Sequence, residues 1–185
     1  MHPEASRFLS LISKRFPYFF INKNVLDVGG GDINGNNRYL FTDCSYSCND
    51  VVSAPNVTLV CRTKDLPISQ TFDTIISSEC FEHDPEYKES LLKIIELLKP
   101  GGLFTFTCAS TGRPEHGTRQ TSSTESYGTI ANIEDMQDYY KNLTMDDIME
   151  VLSMDLFSEC EFTYNPKSHD LYFYGIKKSI DNNVN

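Results

Sequence analysis

The sequence has no tryptophan, and only 16 of its 185 residues are lysine or arginine, against 26 aspartates and glutamates. The net charge of −10 repels phosphate backbones, which disfavours a general nucleic-acid binder. No apolar run approaches the ~20 residues that a membrane helix needs, so no membrane partner is expected. The opening MHPEASRFLSLISKRF carries an early acid and polar breaks in its apolar stretch, which makes it a poor signal peptide. Cys44, Cys48, Cys61, Cys80, Cys108 and Cys160 form no CxxC pair and no Cys/His pair at zinc spacing. Most fall in or beside expected strands, where a free thiol behaves as a small buried hydrophobe, and a reducing, cytoplasmic setting follows. Repeats, low-complexity blocks and dividing linkers are missing too, so one domain over 1–185 is expected.

What is present is a 39% hydrophobic chain in which short β-rich runs alternate with helical stretches. That alternation is the pattern of a parallel sheet covered by helices. An amphipathic helical segment lies in 1–23, about Glu4 to Arg15. Strands are expected at Asn24–Val28, Tyr46–Asn49, Val57–Cys61, Phe72–Ser77 and Leu103–Thr107. A short helix fits Asn36–Phe41. A longer one fits Glu86–Leu98, whose Leu91, Leu92, Ile94, Ile95, Leu97 and Leu98 form a broad apolar face before Lys99-Pro100-Gly101-Gly102 stops it. Thr144 caps a further helix through Leu152, with Asp147 at the capping-box distance. The last two β-runs, Glu161–Tyr164 and Leu171–Ile176, are joined by six residues, too few for a helical crossover, so the final strand runs antiparallel. Residues 109–141 are polar and too long for an ordinary connection. They leave the carboxyl end of a strand, where open α/β sheets bind ligands.

Asp27-Val28-Gly29-Gly30-Gly31 places glycines directly after a buried strand, where the backbone can turn sharply and approach a ligand. Asp50 ends the next strand, placed to accept both hydroxyls of a ribose. A dinucleotide fingerprint needs Gly or Ala at position 34, which is Asn34, and the Walker lysine pattern is missing.

The run VLDVGGG, the strand-end Asp50, DLP at Asp65–Pro67, FDTIISSECFEH at Phe72–His83 and LLKPGGLFTFT at Leu97–Thr107 together resemble class I S-adenosylmethionine-dependent methyltransferases. The resemblance covers about Asn24 to Ile176. It implies a Rossmann-like α/β fold: a seven-stranded, mostly parallel sheet with an antiparallel last strand and helices on both faces. It also implies S-adenosylmethionine as cofactor and S-adenosylhomocysteine as product. Asp27, Gly29 and Gly31 would hold the methionine end and Asp50 the ribose. The Arg62–Asp65 segment would border the adenine, and Ser78 and Glu79 the sulfonium. Ile33 replaces the third glycine of the usual pattern, with Gly35 two places later, and Arg62 stands where an acid is common. ECFEHDP, TGRPEHGTR, YYKNLT and SHDLYFYGI are similar to small methyltransferases of polysaccharide or glycan biosynthesis in bacteria and large DNA viruses. That implies a sugar or glycan hydroxyl as acceptor, and a host's cytoplasm for a viral chain.

The candidate bases are His83, His116 and His169, which the strand order brings to one edge of the sheet, each next to an acid in sequence. His2, at the terminus, is given no role. Arg113 and Arg119 are candidates for an anionic acceptor, and Tyr139 and Tyr140 for stacking on a sugar face. His with carboxylates is a feasible divalent-metal set, but no spacing selects a metal and none is expected. So small a chain leaves the acceptor site open and shallow, or completed by a second copy in a dimer. The alternatives are methylation of another small molecule, nucleic acid or protein, and a non-catalytic cofactor-binding module.

Overall fold

A computed structural model describes residues 2–179. The expected domain limits at 1 and 180–185 lie outside the described residues. The chain builds one seven-stranded sheet in the order β3-β2-β1-β4-β5-β7-β6. The strands are β1 (Asn24–Val28), β2 (Ser45–Asp50), β3 (Leu59–Val60), β4 (Phe72–Ser78), β5 (Leu98–Ala109), β6 (Phe157–Asn165) and β7 (Asp170–Lys177). β1 lies parallel between β2 and β4, and β4 lies parallel to β5. β7 runs antiparallel to both β5 and β6, as the short connection before it requires.

Helix α1 (Pro3–Arg15) starts with proline, carries Glu4 in its first turn, and ends with Lys14 and Arg15, all favourable to the helix dipole. It buries Ala5, Leu9 and Ile12, one stripe at helical spacing. Ile12 meets Phe19, Phe20, Leu103 and Tyr174 on one face of the sheet. Helix α2 (Tyr87–Leu97) covers the other face, where Leu91, Ile94 and Leu97 pack on Leu26, Val28, Phe104, Phe106 and Phe173. Alternation along β5 explains the division, with Leu103 facing one layer and Phe104 and Phe106 the other. The α2 face is narrower than expected, because Leu92 stays 56% exposed.

Several elements differ in extent from the sequence reading. The helix expected over Asn36–Phe41 is a single 3₁₀ turn, Arg38–Leu40. Here Asp32 Oδ1 accepts from Gly35 N (2.7 Å) and Asn36 Oδ1 from Arg38 N (3.0 Å), and such local side-chain bonds compete with a helix. The third strand shrinks from Val57–Cys61 to the two residues of β3 at the sheet edge. β5 begins at Leu98, directly after α2, and its pairing with β4 shifts where Gly101 takes a positive φ of 75°. Residues 109–141 contain a 3₁₀ turn at Ser123–Glu125 and a short helix, α3 (Tyr127–Ile130). The helix capped by Thr144 is α4 (Met145–Met149), shorter than expected, with both capping-box bonds formed. No helix among the described residues is long and apolar enough to cross a membrane.

Candidate active site

A cleft of about 360 Å³ opens at the carboxyl ends of β1, β2, β4 and β5, a volume in the range of small-ligand sites. Its floor is the turn after β1. Gly29 has φ 63°, and a Cβ there would lie 2.1 Å from Cys80 Sγ, so only glycine lets β4's exit pass this close. At Gly31 a Cβ would lie 2.6 Å from Asp50 Oδ2 and 2.5 Å from the Tyr127 ring. The turn is thereby pressed between the acid of β2 and the aromatic of α3.

Asp50 is fixed by the backbone it faces. Its Oδ2 accepts from Gly31 N (3.0 Å) and its Oδ1 from Val51 N (2.7 Å). Burial raises its pKa against the pull of those two amides. Asp27 borders the cleft but is only 2% exposed. It accepts from Tyr46 Oη (2.6 Å), while Asn56 Nδ2 donates to Gly30 O (2.8 Å), so this pair stiffens the turn from below. Ser78 Oγ accepts from the buried Asn37 Nδ2 (2.8 Å). Arg62 and Thr63 line the cleft, whereas Asp65 is exposed and outside its lining, because the one-turn 3₁₀ helix Thr63–Asp65 rotates it outward. Arg62 instead binds Asp135 (2.6 Å) and Glu86 (2.7 Å), clasping the 109–141 segment to the end of β3.

The far end of the cleft is crowded with ionisable groups. Glu79 takes φ 53° directly after β4, a costly conformation for a non-glycine residue. His2 Nε2 lies 2.9 Å from Glu79 Oε2 and 3.1 Å from Asp170 Oδ2. These partners outweigh the burial that would depress it, so His2 titrates at about 10. Arg113 Nη1 donates to Asp170 Oδ1 (3.0 Å) and to Ser168 O (2.8 Å). His83 and His116 line the cleft together, with ring centroids 4.9 Å apart and Tyr140 against both. Burial first, then the charges of His116 and Arg113, depress His83 to about 3, so its imidazole is neutral at physiological pH.

Other expected residues lie elsewhere. His169 Nδ1 is 2.7 Å from Tyr164 Oη, outside the cleft lining; its φ of 57° turns it away from the acid that follows it. Arg119 is exposed and paired with Asp138, and Tyr139 is half-buried outside the lining.

A methyltransferase-domain family profile matches residues 2–151 of the chain. The chain belongs to the methyltransferase domain family. No curated protein matches this methyltransferase. Solved structures of similar fold include Burkholderia thailandensis 1,6-didemethyltoxoflavin N1-methyltransferase, with 1,6-didemethyltoxoflavin and S-adenosylhomocysteine bound. The TM-score is 0.63 at 21% identity, over 94% of this chain and 78% of that one. Haemonchus contortus phosphoethanolamine N-methyltransferase 2 gives 0.62 at 15% identity, but the chain spans only 52% of its length. The N-methyltransferase NodS of Bradyrhizobium japonicum gives 0.56 at 12% identity, over 94% of this chain and 95% of that one.

Among the cleft residues that sequence reasoning missed are His2, Asn37 and Tyr127, with Asp170 buried behind His2. The available signal was faint: an acid beside each candidate histidine, with Asp170, not His169, the one of that pair that turns inward.

Proposed function

We propose that the cleft binds S-adenosylmethionine along the Gly29–Gly31 turn and serves methyl transfer to a sugar hydroxyl at its His83–His116 end. The observation that carries this reading is the Asp50 carboxylate, held against Gly31 by backbone amides at the lip of the cleft, where a ribose would be recognised. The close packing at Gly29 and Gly31 leaves that surface as bare backbone, suited to a cofactor's polar ends. When bound, S-adenosylmethionine supplies an activated methyl on a sulfonium. Asn37 orients Ser78 beside that end, and Glu79 contributes negative charge toward it. The chain's task is then to hold the acceptor oxygen in line with the methyl. His83 and His116 face that oxygen and activate it, with Tyr140 against their rings as a platform for a sugar face. The segment 109–141 forms the roof and supplies Arg113 and His116 to the acceptor side.

A second reading, an amine acceptor, is favoured by the Glu79 carboxylate at the same end of the cleft, and by the N-methyltransferases among the similar folds.

Calorimetry tests the cofactor half. Asp50→Ala is expected to weaken S-adenosylmethionine binding by roughly tenfold or more, as for a lost charged hydrogen bond. No binding by the native chain would overturn the reading. Labelled-methyl transfer to a panel of glycosides and amines tests the acceptor half, with His116→Ala cutting transfer by roughly 10²–10⁴-fold. Labelling confined to amines would replace the first reading by the second.

A further inference from the structure

Glu82 is the anomaly of the molecule. Its side chain is 0% exposed, and neither carboxylate oxygen makes a well-formed hydrogen bond, with only the backbone amides of Glu82 and Ala109 giving it partial support. Beside it, His83 is 8% exposed, and its Nδ1 is also unpartnered. A buried carboxylate without well-formed hydrogen bonds is costly, and protonation does not remove the difficulty, because no acceptor is within reach of the proton. The neighbouring charges do not help. Glu79 and Asp170 repel Glu82, and the cations nearest to them are already engaged: His2 with both acids, Arg113 with Asp170. One carboxylate is therefore left without a counter-charge. His116 completes the cluster from the 109–141 segment. One ligand atom each from Glu82, His83 and His116 lie within 4.8 Å of one another, and both imidazoles open onto the cleft.

We propose that Glu82, His83 and His116 form a binding site for one divalent transition-metal ion at the acceptor end of the cleft. Two imidazoles and one carboxylate suit zinc, manganese or cobalt better than magnesium, which prefers oxygen ligands. Three protein ligands leave positions open for an exogenous oxygen, the arrangement of a catalytic site and not of a closed structural one. The ion neutralises Glu82 and occupies its orphaned oxygens. The second cluster, His2, Glu79 and Asp170, is a weaker candidate, because both of its acids already pair with a cation, although Glu79 Oε1 has no partner.

This assignment deepens the methyl-transfer reading and rests on it for its chemistry. A hydroxyl oxygen bonded to the ion is a stronger acid, and its proton passes to water in the open cleft. The oxygen's electron pair then forms the new O–CH₃ bond, while the carbon–sulfur bond breaks and its electrons stay on sulfur. His83 and His116 would thus act on the acceptor through the ion, not as free bases.

The test is titration of the metal-free, untagged chain with Co²⁺ and Zn²⁺, read by calorimetry and by the visible absorption of bound Co²⁺. One ion per chain is expected at micromolar affinity or tighter, without sulfur-to-cobalt charge-transfer absorption. His116→Ala, at a half-buried position, is expected to weaken binding at least tenfold, and Glu82→Gln similarly. His2→Ala should not abolish it. Failure to bind, binding through thiols, binding unaffected by His116→Ala, or binding lost in His2→Ala would each overturn the site. S-adenosylmethionine binding measured on the same samples separates the two failures: cofactor binding without metal binding refutes the metal site alone.

Discussion

At the scale of single residues, Asp27 carries a measurable pH signature. Burial pushes its pKa up to about 7, with Asp50 adding repulsion, although Tyr46 and Asn56 pull the other way. In the unfolded chain the same group titrates near ~4. Between those values the folded state holds a proton that the unfolded state has lost, so Asp27's contribution is favourable at low pH and declines as pH rises toward 7. Asp27→Asn, which cannot ionise, is expected to show a smaller fall in urea midpoint than the native chain between about pH 5 and pH 8. Identical profiles would mean that Asp27 titrates as an ordinary carboxylate. Residue roles were unevenly legible in the sequence. Asp50 and the glycine turn announce themselves, because strand, turn and acid form a local pattern. His2 does not: its partners at positions 79 and 170 reach it only through the sheet order. His169 lies outside the cleft for a different reason, since the left-handed turn before β7 sends it to Tyr164 and leaves Asp170 buried against His2.

At the scale of elements, long periodic segments were readable and short ones were not. The apolar stripe of α2 and the β5 run specify their own burial, whereas the polar 34–37 stretch is shaped by side-chain bonds that a helix pattern does not reveal. The exception is α4, only five residues long, whose Thr144–Asp147 capping box was visible in the spacing and is formed at both ends. Asp147 also pairs with Lys141 (2.6 Å), anchoring the helix to the end of the roof segment. Thr144→Ala is expected to destabilise the protein by about 1 kcal/mol in denaturant titrations. A change within error would mean that the Ile148 and Leu143 contacts alone hold α4.

At the scale of the whole molecule, ligand binding and stability are linked. If the cofactor binds only the native state, a hundredfold excess over its Kd adds about 2.7 kcal/mol. For a chain of this size that is a rise of several degrees in thermal midpoint. His116→Ala should show the same rise, because it lies at the acceptor end. An unchanged midpoint in the native chain would contradict cofactor binding in the cleft.

The contact between His2 and Asp170 has a kinetic consequence. It joins nearly the two ends of the described chain, and it also requires β7 to be seated between β5 and β6. Such a pairing carries a large loop-closure cost and forms late, after the local helices and the β6–β7 hairpin. During refolding, far-UV circular dichroism should therefore recover before the acceptor end of the cleft does. A nascent chain would carry its local helices and the β6–β7 hairpin before this end of the cleft is assembled.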